Sequence, residues 1–133
     1  RHARRVVLEV TERAGIDAIP ELAHRLSRLR GLGYRVAIDD LGEGYAGLTS
    51  LARVAPEFVK LDMSLVRGID ASPAQQKIVA STMQLCRALG SEIIAEGVET
   101  AAERDALVTI GLDLLQGYLI ARPAPELKVP DLA

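Results

Sequence analysis

Polar residues able to do chemistry recur directly behind short apolar runs. Glu9 and Glu12 follow Val6-Val7-Leu8, and the adjacent pair Asp39-Asp40 follows Val36-Ala37-Ile38. Lys60 and Asp62 are interleaved with Phe58-Val59 and Leu61, Glu96 and Glu99 follow Ile93-Ile94-Ala95, and Gln116 follows Leu114-Leu115. If the runs are strands of one parallel sheet, these residues share its C-terminal edge, where active sites of α/β folds are built. Seven carboxylates (Glu9, Glu12, Asp39, Asp40, Asp62, Glu96 and Glu99) on one rim repel one another, and Lys60 supplies a single compensating charge. A divalent cation resolves that imbalance, and an all-oxygen donor set without Cys or His suits Mg²⁺ or Mn²⁺ rather than Zn²⁺. Neighbouring acids such as Asp39-Asp40 can serve two ions, an arrangement fitted to phosphodiester hydrolysis.

The elements that must position these groups are legible in the same pattern. The apolar runs are short, rich in β-branched residues and weakly alternating, as strands of a parallel sheet are. The last run is read as Leu114-Leu115 continuing into Tyr118-Leu119-Ile120. Between the runs lie helical stretches. Pro20 suits a first turn before Leu22, Ala23, Leu26 and Leu29, and Gly33 supplies a left-handed stop. Ser72-Pro73-Ala74-Gln75 reads as a capping box opening a helix that buries Ile78, Thr82, Leu85, Cys86 and Leu89 and stops at Gly90. Thr100-Ala101-Ala102-Glu103 is a second capping box, for a helix carrying Ala106, Leu107 and Ile110 and ending at Gly111. A shorter helical turn covers Leu48 to Arg53. Gln75 and Glu103 are read as capping residues and nothing more. The order β-α-β-α-β-α-β-α-β predicts a parallel sheet with right-handed crossovers.

Composition bounds the function classes. The chain has 133 residues, with 16 Lys plus Arg against 18 Asp plus Glu for a net charge of −2. That near-balance gives no overall field for gathering nucleic acid or an anionic membrane. Cys86 is the only cysteine, so no intramolecular disulfide forms, and a reducing, cytoplasmic setting is expected with the thiol buried and inert. His24 has no second His or Cys at ligand spacing and is assigned no role. No apolar run approaches the roughly 20 residues of a membrane span.

Five segments taken together resemble the EAL-domain family. They are Leu8-Glu9-Val10-Thr11-Glu12, Ile38-Asp39-Asp40-Leu41-Gly42-Glu43-Gly44-Tyr45, Val59-Lys60-Leu61-Asp62, Ala95-Glu96-Gly97-Val98-Glu99-Thr100 and Gln116-Gly117-Tyr118. The resemblance implies a TIM-like (βα)8 barrel family in bacterial second-messenger signalling, with a phosphodiesterase that linearises cyclic di-GMP to pGpG using two ions. It further implies that Glu9 and Asp39 are metal ligands, Asp39 bridging two ions, and that Asp40 and Asp62 serve the second ion or its waters. Lys60 would orient the attacking water and stabilise its hydroxide, and Glu96 would be the catalytic carboxylate. Glu99 and Gln116 would complete the polar floor, while Glu12 would tether the loop from Asp40 to Leu48, in which Gly42 and Gly44 meet turn requirements.

The family's opening Glu-Ala-Leu motif and an Asn ligand are absent. A closed barrel takes about 250 residues, so the chain is read as about the last five βα units of an incomplete barrel. Residues 1–123 are then the C-terminal part of the EAL domain and 124–133 a Pro-rich tail. Such a piece should expose sheet edges, and should pair as a homodimer or with the missing barrel half. GGDEF or sensor domains are expected in the parent protein. Leu41, Glu43 and Ala46-Gly47 depart from the usual Phe, Thr and two Ser. That loop favours an alternative, a degenerate EAL module that binds cyclic di-GMP or a protein partner without catalysis. A third reading, a lyase using Lys60 as a Schiff-base amine, conflicts with acids that keep the amine charged.

Overall fold

The computed structural model describes residues 2–11, 16, 19–41, 47–126 and 129. Glu12, Gly42, Gly44 and most of the loop from Asp40 to Leu48 lie outside them, as do parts of the segment after residue 126.

Among the described residues, five strands form one sheet: β1 (Val7–Thr11), β2 (Arg35–Leu41), β3 (Phe58–Leu61), β4 (Glu92–Ala95) and β5 (Leu114–Leu115). Every neighbouring pair is parallel and the order is β1-β2-β3-β4-β5, with no reversal. An unreversed order is what a (βα) barrel demands, and it distinguishes this sheet from doubly wound folds, whose strand order turns back. The connections hold α1 (Leu22–Gly31), α2 (Gly47–Val54), α3 (Met63–Val66), α4 (Pro73–Ala88) and α5 (Ala101–Ile110). Short 3-10 turns cover Ala3–Arg5 and Ile69–Ala71. No described helix is long and apolar enough to cross a membrane.

The sheet has two unlike faces. Val36, Ile38, Val59, Leu61 and Ala95 are in phase across the strands and fully buried, forming the centre of the core. Burial of such aliphatic side chains is worth about 1.5–3 kcal/mol each and drives the layering. Positions of the opposite phase include Glu9, Arg35, Phe58, Glu92 and Ile94, none of them fully buried. Arg35 stacks over the Phe58 ring there, 5.0 Å from its centroid. The weak alternation of the runs predicts burial on both faces; the first face is closed throughout, whereas the second is buried at Ala37 and Lys60 and open toward its margins.

Several sequence expectations need correction. The buried stripe of α4 is Val79, Met83 and Cys86, whereas Ile78, Leu85 and Leu89 are exposed. Both stripes have helical spacing and share Cys86, so periodicity alone could not choose between them; packing on β4 and α5 does. The fifth run does not continue as a strand to Ile120. After Gln116 the chain passes so close to Val98 that a Cβ on Gly117 would meet the Val98 oxygen at 2.1 Å. Val98 N–H donates to Gln116 O and Leu119 N–H to Val98 O, both at 3.1 Å, and the chain turns. Gly33, Gly90 and Gly111 follow helices with positive φ, and Thr100 and Glu103 form the expected capping box, whereas Pro20 lies before the cap of α1 rather than in its first turn.

Candidate active site

The site grows from an irregularity in β2. Ile38 pairs with Val59 and Leu41 with Leu61, so Asp39 and Asp40 together stand opposite Lys60. That is a β-bulge, and Asp40 sits in it with φ of 59°, a left-handed conformation that Asp tolerates better than most residues. In a regular strand adjacent side chains point to opposite faces. The bulge removes that alternation, and carboxylate oxygens of Asp39, Asp40 and Glu96 come within 4.8 Å of one another. Strain of this kind persists where the surroundings over-determine it, commonly at functional sites.

Lys60 projects from β3 into the same cluster and is 7% exposed. Its Nζ lies 2.9 Å from Glu9 Oε1, 3.1 Å from Asp39 Oδ1 and 2.8 Å from Glu96 Oε1, linking strands β1, β2, β3 and the end of β4. Burial by itself would depress the lysine pKa. The three carboxylates outweigh it and hold Lys60 well above its ordinary value, so the amine stays protonated, against the Schiff-base reading. For Glu96 the balance goes the other way: burial raises its pKa, Lys60 offsets part of the rise, and the charges of Asp39 and Glu9 add to it. Asp39 Oδ1 makes its ionic contact with Lys60 but is otherwise buried without a hydrogen bond. Lys60 thus serves three carboxylates, and Asp39, Asp40 and Glu96 together form an all-oxygen donor set of the kind that suits a hard cation.

The remaining predicted site residues are spread along the same rim. Asp62, 8% exposed, commits Oδ1 to the Ser64 N–H at 2.8 Å as the cap of α3, and stands outside the three-carboxylate group. Glu99 is exposed and held by a two-pronged contact with Arg67, Nη2 to Oε1 at 2.7 Å and Nη1 to Oε2 at 2.5 Å; that fork lowers its pKa. Gln116 is exposed and lines a cavity of about 370 Å³ with Gly117, Tyr118 and Arg122. Arg122 stacks on Tyr118, 4.5 Å from its centroid. Cys86 is buried, and burial raises its thiol pKa, as its inert reading requires.

Sequence reasoning undervalued two residues. The expected box at Ser72 is only half formed: Gln75 N–H donates to Ser72 Oγ at 3.3 Å, but the Gln75 side chain turns away to donate to Ser64 O at 3.0 Å and Arg67 O at 3.1 Å. Glu103 is 2% exposed, and besides closing the capping box it accepts from Gly68 N–H and Glu99 N–H, each at 3.0 Å. The capping motif was visible, but the long-range partners were not, because 35 residues separate Gly68 from Glu103.

Comparison with known proteins places this geometry in a family. The EAL domain family model matches residues 1–123. The cyclic di-GMP phosphodiesterase RocR of Pseudomonas aeruginosa is 37% identical over 121 residues, covering 91% of this chain and 31% of RocR. PdeF of Escherichia coli, also a cyclic di-GMP phosphodiesterase, is 37% identical over 123 residues, covering 92% of this chain and 16% of PdeF. The chain thus spans less than a third of either relative. Among solved structures, Klebsiella pneumoniae BlrP1 in complex with manganese and cyclic di-GMP superposes with a TM-score of 0.81 at 41% identity, covering 91% of this chain and 31% of that one. A standalone EAL protein from Vibrio cholerae O395, bound to cyclic di-GMP, gives 0.84 at 36% identity, with 91% of this chain and 51% of that one covered. These neighbours are TIM-barrel-like, and the unreversed parallel sheet is a five-stranded part of such a barrel. By family match, relatives and fold alike, the chain belongs to the EAL-domain family.

Proposed function

We propose that this chain carries the C-terminal part of a cyclic-di-GMP phosphodiesterase site, hydrolysing the cyclic dinucleotide to linear pGpG with divalent metal. The observation that carries the reading is the bulge that gathers Asp39, Asp40 and Glu96 around buried Lys60. Asp39, Asp40 and Glu96 would hold a first Mg²⁺ or Mn²⁺ with Glu9 beside them, and Asp40 with Asp62 would serve a second. The fit rests on an all-oxygen donor set whose carboxylate oxygens lie within 4.8 Å of one another. A bound divalent cation supplies Lewis acidity and a nucleophilic water at neutral pH.

The chain's own groups supply the rest. Lys60 stays protonated and offers three N–H donors. When a ligand draws a carboxylate away, a freed donor can hold a water or a phosphate oxygen. Glu96, whose carboxylate lies beside Lys60 and the two aspartates, is placed to accept a proton from that water. Gln116 and the Arg122–Tyr118 stack stand on the same rim and offer hydrogen-bonding and stacking surface to a nucleobase.

The experiment is cyclic di-GMP turnover with Mn²⁺, followed by chromatography for pGpG, using this chain alone and together with the polypeptide completing its barrel. The reading expects metal-dependent turnover in the completed assembly, loss in Glu96→Gln, and little turnover by the chain alone. Tight cyclic di-GMP binding without turnover at any metal concentration would instead establish the inactive binding module. Turnover unaffected by Glu96→Gln would remove the proposed base.

A further inference from the structure

Glu103 presents a problem that helix capping does not solve. The residue is 2% exposed; burial raises its pKa, but three backbone N–H groups, helped by the charge of Arg67, outweigh burial and hold it below the ordinary carboxylate range. Oε2 accepts from Glu99 N–H at 3.0 Å and Thr100 N–H at 3.1 Å, while Oε1 accepts from Gly68 N–H at 3.0 Å. A capping box needs one acceptor and is served equally by Gln. This site needs both oxygens to accept, a demand only a carboxylate meets, because one arm of Gln is a donor.

The two sets of amides belong to the two connections on the candidate active-site rim. Gly68 lies between β3 and α4, in the segment that begins at Asp62. Glu99 and Thr100 lie between β4 and α5, in the segment that begins at Glu96. Along that second segment, Glu96 N–H donates to Leu61 O at 3.2 Å and Val98 N–H to Gln116 O at 3.1 Å. Glu103 satisfies the next two. Gly97 cannot accommodate a side chain without displacing Met63, whose Cβ would lie 2.7 Å from an added Cβ, so the two connections touch there as well.

We propose that Glu103 is a positioning residue. Acting from α5, it fixes both connections at once and thereby sets where the Glu96 carboxylate stands relative to Lys60 and Asp39. The inference rests on the proposed cation site only for its second readout; the first is independent of any ligand.

The test compares Glu103→Gln with Thr100→Ala in the full chain. Glu103→Gln keeps an acceptor for the cap but turns a donor toward one connection. Thr100→Ala removes the hydroxyl that accepts from Glu103 N–H at 3.1 Å and leaves both connections tied. Amide hydrogen exchange without metal should show Gly68 or Glu99 exchanging about tenfold or more faster in Glu103→Gln, with Gly68 unchanged in Thr100→Ala. Mn²⁺ affinity should fall several-fold in Glu103→Gln and stay within twofold in Thr100→Ala, even where both lower the melting temperature alike. Unchanged exchange at both Gly68 and Glu99 in Glu103→Gln overturns the proposal, as does an equal loss of affinity in the two variants. If Glu103→Gln does not fold, Glu103→Asp replaces it, keeping the charge but losing the reach to Gly68. Absence of Mn²⁺ binding by the unaltered chain counts against the hydrolase reading, and the exchange comparison then decides Glu103 alone.

Discussion

Glu57 and Glu96 stand at opposite ends of the same sheet and are treated in opposite ways. Glu57 immediately precedes β3, at the N-terminal edge, where Arg30 Nε donates to Oε1 at 2.8 Å and Val36 N–H to Oε2 at 2.8 Å. Burial raises its pKa, but Arg30 and the backbone N–H groups outweigh that, and the net shift is downward. Glu96 immediately follows β4 at the C-terminal edge. Burial raises its pKa, two further carboxylates add to the rise, and the shared Lys60 does not cancel it. One end has been built so that its charge stabilises the fold, the other so that charge is held against its preference. This is the division of labour expected of a parallel (βα) architecture, with stability at the N-terminal face and chemistry at the C-terminal face.

Lys60→Met breaks the comparison hardest. Removing the ammonium leaves partly buried carboxylates facing one another, and stability should fall by about 3 kcal/mol in urea denaturation at low ionic strength. Mn²⁺ should restore much of that loss. Unchanged stability would mean that the rim is not electrostatically stressed.

Glu57→Gln should cost less, about 1–2 kcal/mol after allowing for its partial exposure to solvent, and should leave Mn²⁺ affinity unaltered. A change in metal affinity here would show that the two ends are not independent.

The smallest effect should have the opposite sign. The folded pKa of Glu96 is raised, so its contribution to stability is full below the unfolded value of about 4.3 and is lost as pH rises through the folded value. In the metal-free chain at neutral pH, ionised Glu96 therefore opposes folding, and Glu96→Gln should stabilise by up to about 1 kcal/mol, a gain that shrinks as pH falls through the raised folded value and is gone by about 4.3. Glu57 behaves conversely: its stabilisation is present above the unfolded carboxylate value and is lost as pH falls through its lowered folded one. Parallel pH–stability curves for the two Gln variants would contradict this opposition.

How much of this was legible in the sequence depends on whether the information is local. The order of strands and helices, the capping residues of α4 and α5 and the concentration of acids behind the strands all follow from short-range pattern. Glu9, Asp39 and Glu96, which meet Lys60 in the fold, each stand behind an apolar run and could be singled out as rim residues. The bulge at Asp39-Asp40 could not be read, because register is a property of two strands and no glycine marks the left-handed position. The buried face of α4 was misassigned for a related reason: Ile78 and Val79 are equally apolar, and only contact with β4 and α5 distinguishes them. Glu103 was read at its nearest partners, Thr100 and the helix terminus, and its reach to Gly68 required the fold.

The proposed hydrolase reading requires the β2 bulge to assemble a cation site from Asp39, Asp40 and Glu96. Calorimetric titration of the chain with Mn²⁺ at neutral pH, alongside Asp40→Asn, tests it most directly. A cation site of this kind gives saturable binding that weakens at least tenfold in the variant while the fold is retained. No binding by the unaltered chain, or equal affinity in the two, would contradict it.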